Sequence, residues 1–260
     1  MKYPYLKGKI ALVTGGSRGI GAATAVALAK QGANVVLTYR NKAARAEEVA
    51  EEVRSHGVRA MTMAVDLTVR EDVDSLMKAI KKEFGRLDLL ILNASGGMEK
   101  DLVAENPDYP LLLNRDAQLW TLEAAMSLMP KGGRVVYVTS HWAHFYGQEG
   151  QERIAVYEPV AYSKHEGEKA LLALIPHLEK HGIRLTRISG DMVEGTITPK
   201  LLERAQPGTL KGRSEMGTPI PTVHDMAAAV VKACGDDKME QGEVIYVGEA
   251  GMPASGVKTR

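Results

Sequence analysis

The chain has a single cysteine, Cys234, in 260 residues. An internal disulfide is therefore excluded, and the composition fits a reducing interior compartment. Cys234 follows a helical pattern from Met226 to Ala233 and reads as a small buried hydrophobe. Excess charge of either sign is missing too: 33 lysines and arginines stand against 32 aspartates and glutamates, a net charge of +1. Nucleic acid and anionic membrane both favour a basic excess, so neither is expected as a main partner. No apolar run approaches the length of a membrane span, and no charged-then-apolar leader precedes the first strand pattern. The expectation is a soluble cytoplasmic protein. His141 and His144 lack nearby cysteine or carboxylate partners in a recognisable ligand pattern, so no metal site is expected. Internal repeats and low-complexity linkers are missing as well. With 45% hydrophobic residues, the length suits one well-cored domain, set at residues 1–252, with a flexible tail at 253–260.

What is present is an alternation of strand and helix patterns. After an apolar strand ending at Val13, strand patterns run from Asn34 to Tyr39, Ala60 to Val65, Leu87 to Leu92, Gly133 to Val138, Arg184 to Ile188 and Glu243 to Val247. Helical patterns run from Ala22 to Lys30, Ala43 to His56, Arg70 to Phe84, Leu111 to Met129, Pro159 to His181 and Val223 to Ala233. Repeated βα units with short loops imply an α/β fold: a doubly wound parallel sheet with helices on both faces and right-handed crossovers. Two stretches break the rhythm, His141 to Glu158 and Gly195 to Thr222, the second carrying Pro199, Pro207, Pro219 and Pro221. Both follow strands. Ligands of such sheets bind beyond the carboxyl ends of the strands, so these stretches are candidate walls of a substrate site.

Between the first strand and the first helix lies Thr14-Gly15-Gly16-Ser17-Arg18-Gly19-Ile20-Gly21. Glycine allows a sharp turn and close approach to a pyrophosphate, and a helix N-terminus offers unpaired N–H groups to it. With this turn the fold is Rossmann-like. The turn, Asp66-Leu67 after a strand, Asn93-Ala94-Ser95-Gly96 after another, and Asn114, Ser140 and Lys164 together resemble the short-chain dehydrogenase/reductase family in its compact one-domain branch. The resemblance covers about the first 250 residues. It implies a nicotinamide coenzyme held by Thr14, Gly15, Ser17, Arg18, Gly19, Ile20 and Gly21, by Tyr39 and Arg40, by Asp66 and Leu67 at the adenine, and by Asn93, Ala94 and Ser95. Lys164 would hold the nicotinamide ribose, with Gly190 and Val193 near the carboxamide. The family's Pro-Gly at that last place is Ser189-Gly190 in this chain.

Coenzyme choice follows from charge. An acid at the end of the second strand suits the ribose hydroxyl of NAD, whereas arginine suits the 2′-phosphate of NADP. This strand ends Leu37-Thr38-Tyr39-Arg40 without a carboxylate, and Arg18 sits in the turn. Unless both are merely solvated surface arginines, they favour NADP(H) over NAD(H). Asp66 also reads as a helix N-cap before Val69.

The catalytic pattern departs from the family. Its tyrosine donates a proton to the substrate oxygen, its lysine four residues later lowers that tyrosine's pKa, and its serine holds the oxygen. Here Val160-Ala161-Tyr162-Ser163-Lys164 aligns with Tyr-x-x-Ser-Lys, so Val160 holds the tyrosine position. Tyr162 lies about 200° around a helix from Lys164 and should face away, packing on a neighbouring helix or subunit. Tyr157 precedes Lys164 by seven residues, nearly on its face, beside a helix start marked by Glu158-Pro159. It is the candidate displaced acid, or alternatively a loop aromatic covering the core. The resemblance gives Ser140 the carbonyl oxygen and gives Asn114 a kinked backbone and a water relay to the lysine. A hydrogen-bonded strand-end serine and a buried capping asparagine are the plainer alternatives. His141, His144 and Tyr146 are further possible proton donors. Asp191 and Glu194 would repel anionic substrates, while Arg204, Lys211 and Arg213 would attract them.

The implied activity is ketoreductase-like: NADPH-dependent interconversion of a carbonyl and an alcohol on a small molecule. A coenzyme-binding regulator without turnover, or a cyclase or isomerase, are the rivals. The resemblance also implies a homodimer or homotetramer, with the helices beginning at Leu111 and Pro159 as contact surfaces.

Overall fold

Ile10-Ala11-Leu12-Val13 is buried at every position, as a strand covered on both faces must be. This is β1 (Ile10–Val13), at the centre of a computed structural model that describes residues 3–151, 153–215, 217–250 and 252. The expected tail at 253–260 lies outside the described residues. The chain continues through α1 (Gly19–Lys30), β2 (Asn34–Tyr39), α2 (Ala43–Ser55), β3 (Ala60–Ala64), α3 (Arg70–Phe84) and β4 (Leu89–Leu92). Next come α4 (Lys100–Glu105), α5 (Tyr109–Leu111), α6 (Ala117–Met126), β5 (Arg134–Ser140), α7 (His141–His144) and α8 (Glu158–Ala173). Last are α9 (Ile175–Lys180), β6 (Arg184–Gly190), α10 (Thr198–Ala205), α11 (Thr209–Glu215), α12 (Val223–Gly235) and β7 (Val244–Val247).

All seven strands pair in parallel, in the order β3-β2-β1-β4-β5-β6-β7. The strand order therefore reverses between β1 and β4, which opens a crevice at their carboxyl ends. Alternate residues face opposite layers. Ala11 and Val13 join a core with α1, α2 and α12, which also encloses Cys234, while Ile10 and Leu12 join a second core with α3, α6, α8 and α9. A third cluster, with Trp142, Ile154, Tyr157, Val160, Met192 and Leu202, sits at the carboxyl ends of β5 and β6 and is built from the two stretches that broke the sequence rhythm.

Two helices expected to be continuous are interrupted. The span Leu111 to Met129 resolves into α5, a π-turn at Leu112–Asp116 and α6. The wider turn carries Asn114, whose carbonyl packs so closely on Gly167 of α8 that a Cβ there would collide with it. The span Pro159 to His181 divides at Leu174, because Pro176 has no N–H to continue the ladder and sits in the first turn of α9 instead. The first helix starts at Gly19, three residues before the expected Ala22. Asp66 does not cap α3: its carboxylate accepts from the backbone N–H and hydroxyl of Thr68, and the cap position falls to Val69 without a side-chain bond.

Candidate active site

The glycine turn is anchored from below. Thr14 Oγ1 donates to the Ile91 carbonyl and accepts from the N–H groups of Asn93 and Ala94, at 2.9 and 3.0 Å. Asn93 Nδ2 returns a bond to the Thr14 carbonyl at 2.9 Å. Gly15 has φ +65°, a left-handed conformation that favours glycine, and a Cβ on Gly16 would lie 2.5 Å from Leu37 Cβ. The turn is thus pressed flat onto β2 and leads into α1, where no acid and no side-chain cap occupies the first-turn N–H groups. Gly15, Ser17, Arg18, Gly19 and Ile20 line one groove with Tyr39, Arg40, Asp66, Leu67, Asn93, Ala94 and Ser95. Thr14 and Gly21 stand behind it, buried, as supports.

A deeper cavity continues from this groove, sharing Arg18, Ile20, Asn93 and Ser95 with it. Ser140, Tyr157, Lys164, Gly190 and Val193 line it. Ser140 ends β5 opposite Gly190 of β6, and its hydroxyl caps α7 by accepting from Ala143 N–H at 3.3 Å. The Tyr157 hydroxyl donates to Ser140 Oγ at 3.4 Å. Burial pushes the Tyr157 phenol above its ordinary pKa, with the Ser140 bond opposing. Burial lowers the Lys164 amine to about 8, with the Glu168 carboxylate one turn along α8 opposing. Lys164 Nζ has no hydrogen bond or ion pair to a described residue. The donors in the two cavities fit a nicotinamide dinucleotide: open backbone N–H groups and guanidinium groups along the groove, then an unpartnered buried amine beside two hydroxyls.

The fourth candidate, Asn114, is not among the cavity-lining residues. Its Nδ2 donates to the Gly96 carbonyl at 2.8 Å and to Ser163 Oγ at 2.9 Å, tying the loop after β4 to α8. The kinked backbone is present, but the side chain is committed. Tyr162 faces out as expected, 42% exposed, with its ring 5.6 Å from that of Tyr146.

Three other possible proton donors are corrected. His141 is buried, bonded to Ser189 Oγ at 2.7 Å and the Gly248 carbonyl at 3.1 Å, and burial lowers its pKa to about 4. His144 joins Glu168 and Tyr246, and Tyr146 donates to Glu158. None lines the cavity. The charge expectations change as well. Asp191 and Arg213 form a buried ion pair at 2.6 Å, so neither presents free charge to a substrate. The Asp191 carboxylate also accepts from the N–H groups of Met192, Glu249 and Ala250.

Sequence reasoning missed several lining residues. Lys42, Arg45, Glu99 and Tyr109 face the groove, and only the basic run after Arg40 signalled the first two. Met98, Trp142, Ile154, Met192, Leu201 and Leu202 make the deeper cavity apolar, from segments too scattered for a motif.

This is the doubly wound α/β class, open where its strand order reverses. Within that class the chain belongs to the short-chain dehydrogenase family, whose model matches residues 9–206. It is 38% identical over 143 residues to the hydroxynaphthalene reductase arp2 of Aspergillus fumigatus, covering 53% of this chain and 52% of that protein. It is 38% identical over 155 residues to the versicolorin reductase stcU of Emericella nidulans, covering 58% of each. The chain thus spans a little over half the length of the curated relatives it matches. A short-chain dehydrogenase from Burkholderia cenocepacia, solved with NADP, superposes with TM-score 0.80 at 29% identity, covering 95% of this chain and 98% of that one. The angucycline ketoreductase LanV with bound NADP gives 0.75 at 28% identity, covering 96% and 97%.

Proposed function

We propose that the protein is an NADP(H)-dependent oxidoreductase interconverting a carbonyl and an alcohol on a small, largely apolar molecule. The observation that carries this is the Tyr157 hydroxyl bonded to Ser140 Oγ at 3.4 Å, in one cavity with Lys164. Ser140 holds the substrate oxygen. Tyr157 gives that oxygen its proton, and its raised pKa keeps the proton in place until substrate arrives. Lys164, still mostly charged at neutral pH, holds the ribose hydroxyls and favours the phenolate left behind. The bound reduced nicotinamide supplies the hydride.

Coenzyme choice rests on charge: Arg18, Arg40, Lys42 and Arg45 line the groove against Asp66 and Glu99. The NADP-bound relatives support the same reading. An apolar substrate is favoured by the Trp142, Ile154, Met192 and Leu202 wall, with Asp191 neutralised by Arg213. A relative named hydroxynaphthalene reductase points the same way.

Val160 at the family's tyrosine position favours a second reading, a coenzyme-binding protein without turnover. The test is to mix the protein with NADPH or NADH and a panel of apolar ketones, following nicotinamide absorbance and fluorescence. Oxidation of NADPH in preference to NADH is expected. Tight NADPH binding without oxidation across the panel would establish the second reading instead.

A further inference from the structure

We infer that Tyr109 is part of the 2′-phosphate subsite of the coenzyme groove, where it holds the Arg40 guanidinium in place and offers its own hydroxyl proton to the phosphate. This rests on the NADP(H) preference proposed above. Arg40 Nη1 donates to the Tyr109 hydroxyl at 2.7 Å, across 69 residues of sequence. Arg40 is itself exposed, and a long solvated side chain loses rotamer freedom when it grips a phosphate. Tyr109 is buried at the start of α5. Bonded to it, the guanidinium is ordered beforehand and keeps most of its five N–H donors for a ligand.

The phenol oxygen accepts from Arg40, so its own O–H remains to be donated, and no described residue accepts it. Burial, with Asp66 and Glu99 acting in the same direction and Arg40 opposing, raises the phenol above its ordinary pKa and keeps that proton on. Both groups line one groove with Arg18, Lys42 and Arg45. A phosphate dianion among these cations is the ligand that takes both a guanidinium fork and a phenol proton. Tyr109 comes from the crossover between β4 and α6, which also places Met98 and Glu99 along the deeper cavity. Coenzyme choice is thereby linked to the segment that borders the substrate.

Calorimetry with adenosine 2′,5′-bisphosphate and 5′-AMP tests this without turnover. Wild type should prefer the bisphosphate. Tyr109→Phe should weaken bisphosphate binding about five- to ten-fold, the worth of one charge-assisted bond, and leave 5′-AMP within about two-fold. Combined with Arg40→Met, the two losses should be less than additive, because one residue orients the other. If the phenylalanine variant melts early, Tyr109→His, which keeps a ring and a hydrogen-bonding atom, should retain part of the preference. Equal weakening of both nucleotides, or of neither, would overturn the role of Tyr109. A wild type without preference would instead overturn the coenzyme reading on which it stands.

Discussion

The two cavities are specified in different ways. The groove over β1 and β2 is a matter of backbone: a left-handed Gly15, a Gly16 against Leu37 and open N–H groups on α1. The requirements of its glycine turn fall on consecutive residues. The deeper cavity is made by side chains from β5, α7, α8, α10 and the stretch after β6, which meet only in the folded chain. The backbone-built half therefore resists substitution by small residues, whereas the side-chain-built half tolerates relocation of a functional group. The proposed acid Tyr157, three residues before Val160 at the family's tyrosine position, would be an instance of such tolerance.

The largest expected effect breaks the side-chain half. Tyr157→Phe should lower kcat by about a hundred-fold or more while coenzyme binding stays intact, as for loss of a general acid. Tyr162→Phe, altering an exposed ring, should stay within about two-fold. Steady-state kinetics with coenzyme titration separates these outcomes, and full activity in the Tyr157 variant would remove it from the mechanism.

Smaller in size, but directed at the backbone half, is Gly16→Ala. Its methyl would meet Leu37 at 2.5 Å, so a loss of about 1–3 kcal/mol in stability and weaker coenzyme binding are expected together. Thermal melts with and without NADPH report both. Unchanged melting would show the turn to be more pliant than its packing implies.

The smallest effect concerns the support behind the deeper cavity. His141 titrates at about 4 when folded, below the ordinary 6.5. The unfolded chain therefore binds the extra proton first, and stability falls as pH drops from 6.5 toward 4. Urea midpoints across that window should decline less steeply in His141→Gln than in wild type. Identical slopes would assign the acid sensitivity to other groups.

The legibility of the sequence divides along the same line. The β1 turn and the strand ending at Arg40 could be read because each is local, whereas Ser140 on β5 and Lys164 on α8 came only from the family resemblance. The Leu111 to Met129 span looked like one helix because a π-turn leaves the apolar pattern nearly intact and is set by Gly167 on another helix. Asp191 and Arg213 looked like free charges because nothing in their 22-residue separation encodes a pairing. Asn114 was legible as a kink but not as a tie, since Gly96 and Ser163 approach it only in three dimensions.

The fully satisfied Asp191–Arg213 pair has a bearing on how this chain can diversify. Exchanging either partner alone strands a buried charge, a loss of about 3–5 kcal/mol that selection would remove. Drift at those two sites must then proceed by simultaneous replacement, while the half-buried Leu201 and Met98 remain open to single steps. A library aimed at new ketones should hold the pair constant and randomise those two.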